Sequence, residues 1–417
     1  MSHFDIVCRK CGTVLRETYC AFCEHCADAL LITRYKEREF SEAGGEGIWR
    51  FNWLPVHGAK QFAAGPVVYK SEGLAGRLGL EDLHIAFSGY WPERGAAIRT
   101  CTFKEFEAAV VIENSRENSV EGMVVASAGN TARAFAHLSA RTGYPVIIVV
   151  PRMCLVDMWY LRSEARVPTL VVSDGDYSDA IDLARRVASE AEMPFEGGVK
   201  NIAKRDGLGV VLLEAVSKMG RLPGHYFQAV GSGAGAVAAW EMAERFIGDG
   251  RFGSTLPRLH LAQNAPFTPM VNAWRRGRRE LSPEDLRPEL IGEIATRVLS
   301  TRYPAYSVMG GVYDALEATD GRMYAVTNEE LFAAGEMFEE AEGIDVVPAA
   351  AVAVAALVRA VEKVHIRPGD NVLLNITGGG EDRLPEEDKV PVRGELVSKN
   401  ISNGDLEELL CSTLKKD

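Results

Sequence analysis

Short apolar runs alternate with longer stretches of helical period along most of the chain, and this alternation predicts the architecture. Met123–Ala126, Val146–Val150, Thr169–Val172, Tyr226–Val230, Leu259–Ala262 and Val372–Asn375 are compact apolar runs of strand length. Between them lie Lys104–Glu113, Asn130–Arg141, Ser178–Glu190, Leu208–Met219, Ala234–Phe246 and Ala349–Val361, which have helical length and pattern. Strands covered on both faces read as unbroken apolar runs, so the alternation predicts an α/β fold built mainly on parallel sheets. Residues 31 to about 90 are rich in Gly, Pro and aromatics and read as a connection. The tail after Gly380 is charged and weakly apolar, so it is expected to lie on the surface or to be partly mobile. There is no internal repeat and no low-complexity tract.

A chain of 417 residues suggests two or three domains with ample core. Apolar residues make up 47% and charged residues 25%, which excludes a disordered chain. Forty-six Lys and Arg stand against 58 Asp and Glu, a net charge of −12. That balance argues against nucleic acid or an anionic membrane as partner, because both require a basic surface. It leaves room for an anionic substrate in a local pocket. The longest charge-free apolar stretch, Val346–Val358, falls short of the roughly 20 residues that span a bilayer. Met1-Ser2-His3-Phe4-Asp5 lacks the basic and apolar regions of a signal peptide, so a soluble, cytoplasmic protein is expected.

The cysteines change the picture at the N-terminus. Cys8, Cys11, Cys20, Cys23 and Cys26 crowd the first 26 residues, while Cys101, Cys154 and Cys411 are scattered. Cys8-x2-Cys11 and Cys20-x2-Cys23 are two CxxC pairs, the layout of a small zinc ribbon in which four thiolates close a tetrahedral site. Cys26 could replace one of the four, and a reduced, metal-free cluster is the alternative. A closed site of four thiolates is structural, so the chemistry lies elsewhere.

Ligands of α/β folds sit outside the carboxyl ends of the strands, and three strand-to-loop junctions here have the right composition. Ser127-Ala128-Gly129-Asn130-Thr131 follows a strand and opens a helix, where free N–H groups and the helix dipole suit a carboxylate or phosphate. Gly231-Ser232-Gly233-Ala234-Gly235 does the same ahead of an Ala-rich helix. Asn375-Ile376-Thr377-Gly378-Gly379-Gly380 ends a strand in a hydroxyl and three glycines. The second loop is not a dinucleotide fingerprint: the third glycine would fall on Ala236, and no acidic residue follows at the end of a second strand.

Lys104, in Thr102-Phe103-Lys104-Glu105, precedes these three loops. The four motifs in this order resemble the fold type II pyridoxal-phosphate enzymes, the tryptophan-synthase-β-like family that includes threonine synthase. The resemblance runs from about residue 90 to 380, and an N-terminal cysteine ribbon also occurs among threonine-synthase relatives. It implies that Lys104 is the Schiff-base lysine and the general base at Cα. It implies that Asn130 bonds the phenolic oxygen of the cofactor and that Ser127–Thr131 hold the substrate α-carboxylate. Gly231, Ser232, Gly233, Ala234 and Gly235 would cradle the cofactor phosphate, and Thr377 would face the pyridine nitrogen. A neutral hydroxyl there favours loss of a β-leaving group over reprotonation.

The same resemblance implies a zinc-ribbon-like segment at 1–30, a smaller α/β unit at 91–204 with Lys104 and the Ser-Ala-Gly-Asn-Thr loop, and a larger cofactor-binding unit from 31–90 plus 205–417. Threonine synthase follows its lysine with Asp-Arg-Gly, whereas Glu105-Phe106-Glu107 stands here. The motifs are most similar to the branch of the family that joins O-phospho-L-serine and sulfite to give L-cysteate and phosphate, for coenzyme M biosynthesis. Action on O-phosphohomoserine, or another β-replacement, is the alternative, with a non-catalytic interaction protein behind it. Both reactants are anions, which makes Arg99, Lys200, Lys204, Arg205 and Arg302 candidate contacts. A homo-oligomer is expected.

Overall fold

The computed structural model describes residues 2–17, 19–26, 28–42, 45–57, 64–164 and 166–414. Two sheets carry the α/β fold, and each runs parallel where the sequence pattern places its strands. The larger has six strands in the order Arg322–Val326, Arg258–Asn264, His225–Ala229, Asn371–Ile376, Asp82–Phe87 and Val67–Lys70. Only its last pair is antiparallel. The smaller orders Glu395–Val397, Thr169–Val172, Val146–Pro151 and Met123–Ala126, all parallel.

Both faces of the larger sheet are covered, which is why its strands are apolar at successive positions. Tyr226 and Leu373 face a core shared with helices Ile202–Met219 and Ala234–Asp249. Their neighbours Phe227 and Leu374 face a second core built with helix Pro348–Glu362. The period-2 alternation of side chains thus sends adjacent residues into different cores. The smaller sheet lies between helices Asn130–Thr142 and Tyr177–Glu190. The latter begins with a capping box in which Asp176 accepts from Ser178 and Asp179 N–H.

Two parts of the chain carry more structure than the sequence pattern shows. The stretch to residue 90 is not merely a connection, since it contains helix Gly73–Leu78 and two strands of the larger sheet. Asp82-Leu83-His84-Ile85 mixes polar with apolar positions, which hid the strand until its pairing with Asn371–Ile376 defined it. The charged tail is also ordered. Glu395–Val397 joins the smaller sheet, and helix Asn403–Leu414 lays Leu406 and Leu410 on a core containing Leu170, Val172 and Leu183. A few apolar residues spaced at helical period are enough to dock it.

The expected unit boundaries shift accordingly. Residues 395–397 belong to the smaller sheet rather than travelling with 205–417. A boundary between 204 and 205 falls inside helix Ile202–Met219, whose Asn201 cap accepts from Ala203 and Lys204 N–H. The N-terminal segment does not end at 30 either. Leu31–Tyr35 pairs antiparallel with Phe4–Cys8 and completes a three-stranded sheet with Val14–Leu15. This small sheet is fastened to the helices beneath it by Asp206, whose carboxylate accepts from Thr33 at 2.6 Å and Tyr35 at 2.7 Å. Among the described residues no helix is long and apolar enough to cross a membrane.

Candidate active site

Helix Lys104–Glu117 starts where three strand ends converge, and the side chain of its first residue reaches into a cavity between them. The cavity is lined by Lys104, by Ser127, Ala128, Gly129, Asn130 and Thr131, by Gly231, Ser232, Gly233, Ala234 and Gly235, and by Thr377. The lysine, the two loops and the threonine expected from the sequence are therefore brought to one place. Tyr177, Gln228, Leu299, Thr301 and Ala349, which carried no sequence signal, complete the wall.

The Lys104 side chain is half-buried, and its ammonium donates to Glu107 Oε2 at 2.9 Å, one turn along the same helix. Burial lowers the Lys104 pKa, and the Glu107 carboxylate opposes that shift. Glu107 is itself fully buried, and its other oxygen meets Lys204 Nζ at 3.1 Å and the Thr131 hydroxyl at 2.9 Å. Burial alone would raise this carboxyl, but Lys104 and Lys204 bring it below its ordinary value. Lys204 also meets Glu196 Oε2 at 3.2 Å. Glu107 and Glu196 had no sequence signal, because neither lies in a recognisable motif. Of the five basic candidates only Lys204 lines the cavity. Arg99 pairs with Asp388, Arg302 with Asp176 and Arg205 with Glu241, and Lys200 lies over the Phe22 ring.

The two Gly-containing loops present unused backbone donors. Ser127 Oγ accepts from Gly129 N–H at 3.0 Å and Ala132 N–H at 2.9 Å, which shapes the turn. The N–H groups of Ala128, Asn130 and Thr131 then have no acceptor among the described residues. The same holds for Gly231, Ser232, Gly233 and Gly235, at the start of the 16-residue helix Ala234–Asp249. Orphaned backbone donors are rare in folded proteins, and donors clustered at a helix N-terminus suit an anion. Gly233 is required by its backbone: φ is +86°, and an added Cβ would collide with Val312. A phosphate fits the second loop and a carboxylate the first.

Asn130 Oδ1 accepts from Arg133 Nη2 at 2.9 Å, which leaves its NH2 group as the available donor. Thr377 is buried just beyond strand Asn371–Ile376, and its hydroxyl bonds to no described residue. Both side chains suit the two polar edges of a pyridine ring carrying a phenolic oxygen. The donor set thus fits pyridoxal phosphate, with an amine, two anion cradles and two neutral polar groups around one cavity.

Remote from this cavity, the sulfur atoms of Cys8, Cys11, Cys23 and Cys26 all lie within 4.8 Å of one another. Cys20, expected among the ligands, is outside that set. It is half-buried and packs as a small apolar side chain against the main core, where burial pushes its thiol up to about 11. Cys26 takes its place because Cys23-x2-Cys26 is also a CxxC turn, with His25 N–H directed at Cys23 Sγ at 3.4 Å. On the opposite turn, Gly12 N–H bonds Cys8 O at 3.0 Å with φ of +71°. Four thiols in two such turns match a structural zinc donor set.

Residues 89–378 match the family described as "Pyridoxal-phosphate dependent enzyme". A "Cysteate synthase" of Methanocella arvoryzae is 49% identical over 399 residues, covering 94% of both chains. A "Cysteate synthase" of Methanosphaerula palustris is 50% identical over 390 residues, 92% of this chain and 91% of its own. Among solved structures, maize serine racemase is similar with a TM-score of 0.59 at 16% identity, over 76% of this chain and 89% of that one. Threonine deaminase isoform 2 from Solanum lycopersicum has a TM-score of 0.57 at 18% identity, over 76% and 84%. At those identities the structural likeness speaks for the fold, whereas the near-full-length relatives and the amine, cradles and polar edges of the cavity point the same way. The chain belongs to the fold type II pyridoxal-phosphate-dependent enzymes, within the group formed by its cysteate synthase relatives.

Proposed function

We propose that this protein converts O-phospho-L-serine and sulfite to L-cysteate and phosphate by β-replacement. The reading is carried by relatives named cysteate synthase over more than nine-tenths of the chain, joined to a cavity that offers an amine and two anion cradles. Pyridoxal phosphate, when bound, supplies an electron sink for negative charge at the substrate Cα, which allows the β-phosphate to leave. The chain's own residues do the rest. The Lys104 amine is the attachment point and moves the Cα proton, a task helped by burial that lowers its pKa. The free N–H groups of Ala128, Asn130 and Thr131 would hold the α-carboxylate, and those of Gly231, Ser232, Gly233 and Gly235 would hold the cofactor phosphate. With the cofactor bound, Asn130 would donate to the phenolic oxygen and the Thr377 hydroxyl would stand at the ring nitrogen.

The Cys8, Cys11, Cys23 and Cys26 cluster holds a structural zinc in this reading, and the enzyme works in the cytoplasm as a homo-oligomer. The decisive experiment measures phosphate release from O-phospho-L-serine with and without sulfite, with cysteate identified by mass. O-phosphohomoserine serves as the comparison substrate. Faster release from phosphohomoserine, or no cysteate formed, would overturn the assignment.

A further inference from the structure

Replacement at one carbon brings two oxyanions to nearly the same place, since the leaving group departs from Cβ and the nucleophile arrives there. A cation beside that carbon can serve both. Lys104 and Lys204 are the only positively charged side chains lining the cavity among the described residues, and the cofactor takes the amine of Lys104.

Lys204 is an improbable residue for its position unless it binds something. Its side chain is 8% exposed, and it stands in the first turn of helix Ile202–Met219, where the helix dipole favours negative charge. A charge buried there needs strong compensation. Glu107 and Glu196 supply it, at 3.1 and 3.2 Å, and they raise the Lys204 pKa although burial lowers it, so the ammonium persists at neutral pH. The clamp itself is uneven. Burial raises the Glu196 carboxyl above its ordinary value, and its Oε1 is buried without a partner. Both carboxylates hold Lys204 in place, and it still lines the cavity where an anion would stand. Glu107 also accepts from Lys104 and from Thr131 of the first loop, so Lys204 is linked through Glu107 to both the reacting amine and the carboxylate-binding turn.

We propose that Lys204 is the oxyanion-binding residue of this site, receiving in turn the leaving phosphate and the incoming sulfite. This rests on the β-replacement reading above. The test uses holoenzyme of wild type, Lys204→Met and Lys204→Arg, with inorganic phosphate and sulfate as static probes. Binding is read from thermal stabilisation and from the visible cofactor spectrum, and cofactor loading from borohydride-trapped stoichiometry. Lys204→Met should weaken phosphate and sulfate binding about tenfold or more and raise the sulfite KM to match, with cofactor loading unchanged. Lys204→Arg should restore most of both. Should Lys204→Met fold poorly, Lys204→Gln combined with Glu196→Gln removes both charges of the pair and is measured in the same way. Wild-type affinity for phosphate in these neutral variants, or no phosphate binding by wild type, would overturn the proposal. Probe binding needs no turnover, so a wild-type enzyme that binds phosphate through Lys204 but makes no cysteate would refute only the reaction assignment.

Discussion

The backbone N–H of Phe103 donates to the carbonyl of Thr377 at 2.9 Å, joining the turn before the reactive lysine to the end of the central strand. Gly379 N–H returns a second bond to Cys101 O at 3.2 Å, and a Cβ on Gly378 would stand 2.5 Å from that same oxygen. The C-terminal glycines therefore clasp the lysine turn, which is how residues far apart in sequence fix the position of Lys104.

Thr377 offers a test of mechanism. If the hydroxyl stands at the ring nitrogen as proposed, Thr377→Asp would place a carboxylate there and favour a protonated ring, a stronger electron sink. Phosphate elimination from phosphoserine should slow, with new long-wavelength absorbance or side transamination, while Thr377→Ser keeps most activity. A folded, cofactor-loaded Asp variant with unchanged spectrum and product ratio would remove Thr377 from the site.

Lys104→Ala should abolish the borohydride-reducible link to the cofactor and lower turnover by about 10²–10⁴-fold or more. Mass spectrometry of the reduced protein checks it directly, because covalent labelling that survives the substitution would assign another lysine.

The cysteine cluster separates two serine variants. Cys26→Ser should lose bound zinc and destabilise the protein, whereas Cys20→Ser should retain zinc, since only Cys26 lies with Cys8, Cys11 and Cys23. Chelation should likewise depress the melting temperature more than it alters the cofactor spectrum. Metal content and melting curves of the two variants decide the point.

Asp249 gives the acid limb of stability. Its carboxyl is held at about 2, below 3.8, chiefly by Arg251, with burial opposing and the Phe40 N–H assisting. A depressed folded pKa contributes stability that is complete above the unfolded value and is lost as pH falls from about 4 through about 2. Arg251 is half exposed and water screens the pair, so Asp249→Asn should cost about 1 kcal/mol or less at neutral pH and flatten the decline below pH 4. The loss should be felt where Phe40 packs on Trp53 and Phe246. Urea denaturation of both proteins at pH 7 and pH 3 measures it.

By itself the sequence determined the α/β class, six strands, six helices and the four motifs of the cavity, with the start of helix Ile202–Met219 placed six residues late at Leu208. Those features are local: apolar runs covered on both faces, helical period, and small residues at strand ends all leave their mark within a dozen positions. Only the tertiary structure decided that Lys204 alone among the basic candidates enters the cavity, that Glu107 sits between it and Lys104, and that Cys26 rather than Cys20 completes the sulfur cluster. It also decided that Glu395–Val397 extends the smaller sheet. Each depends on which surfaces meet after the helices pack, and a buried charge or a docked edge strand has the same composition as an exposed one until its partners arrive.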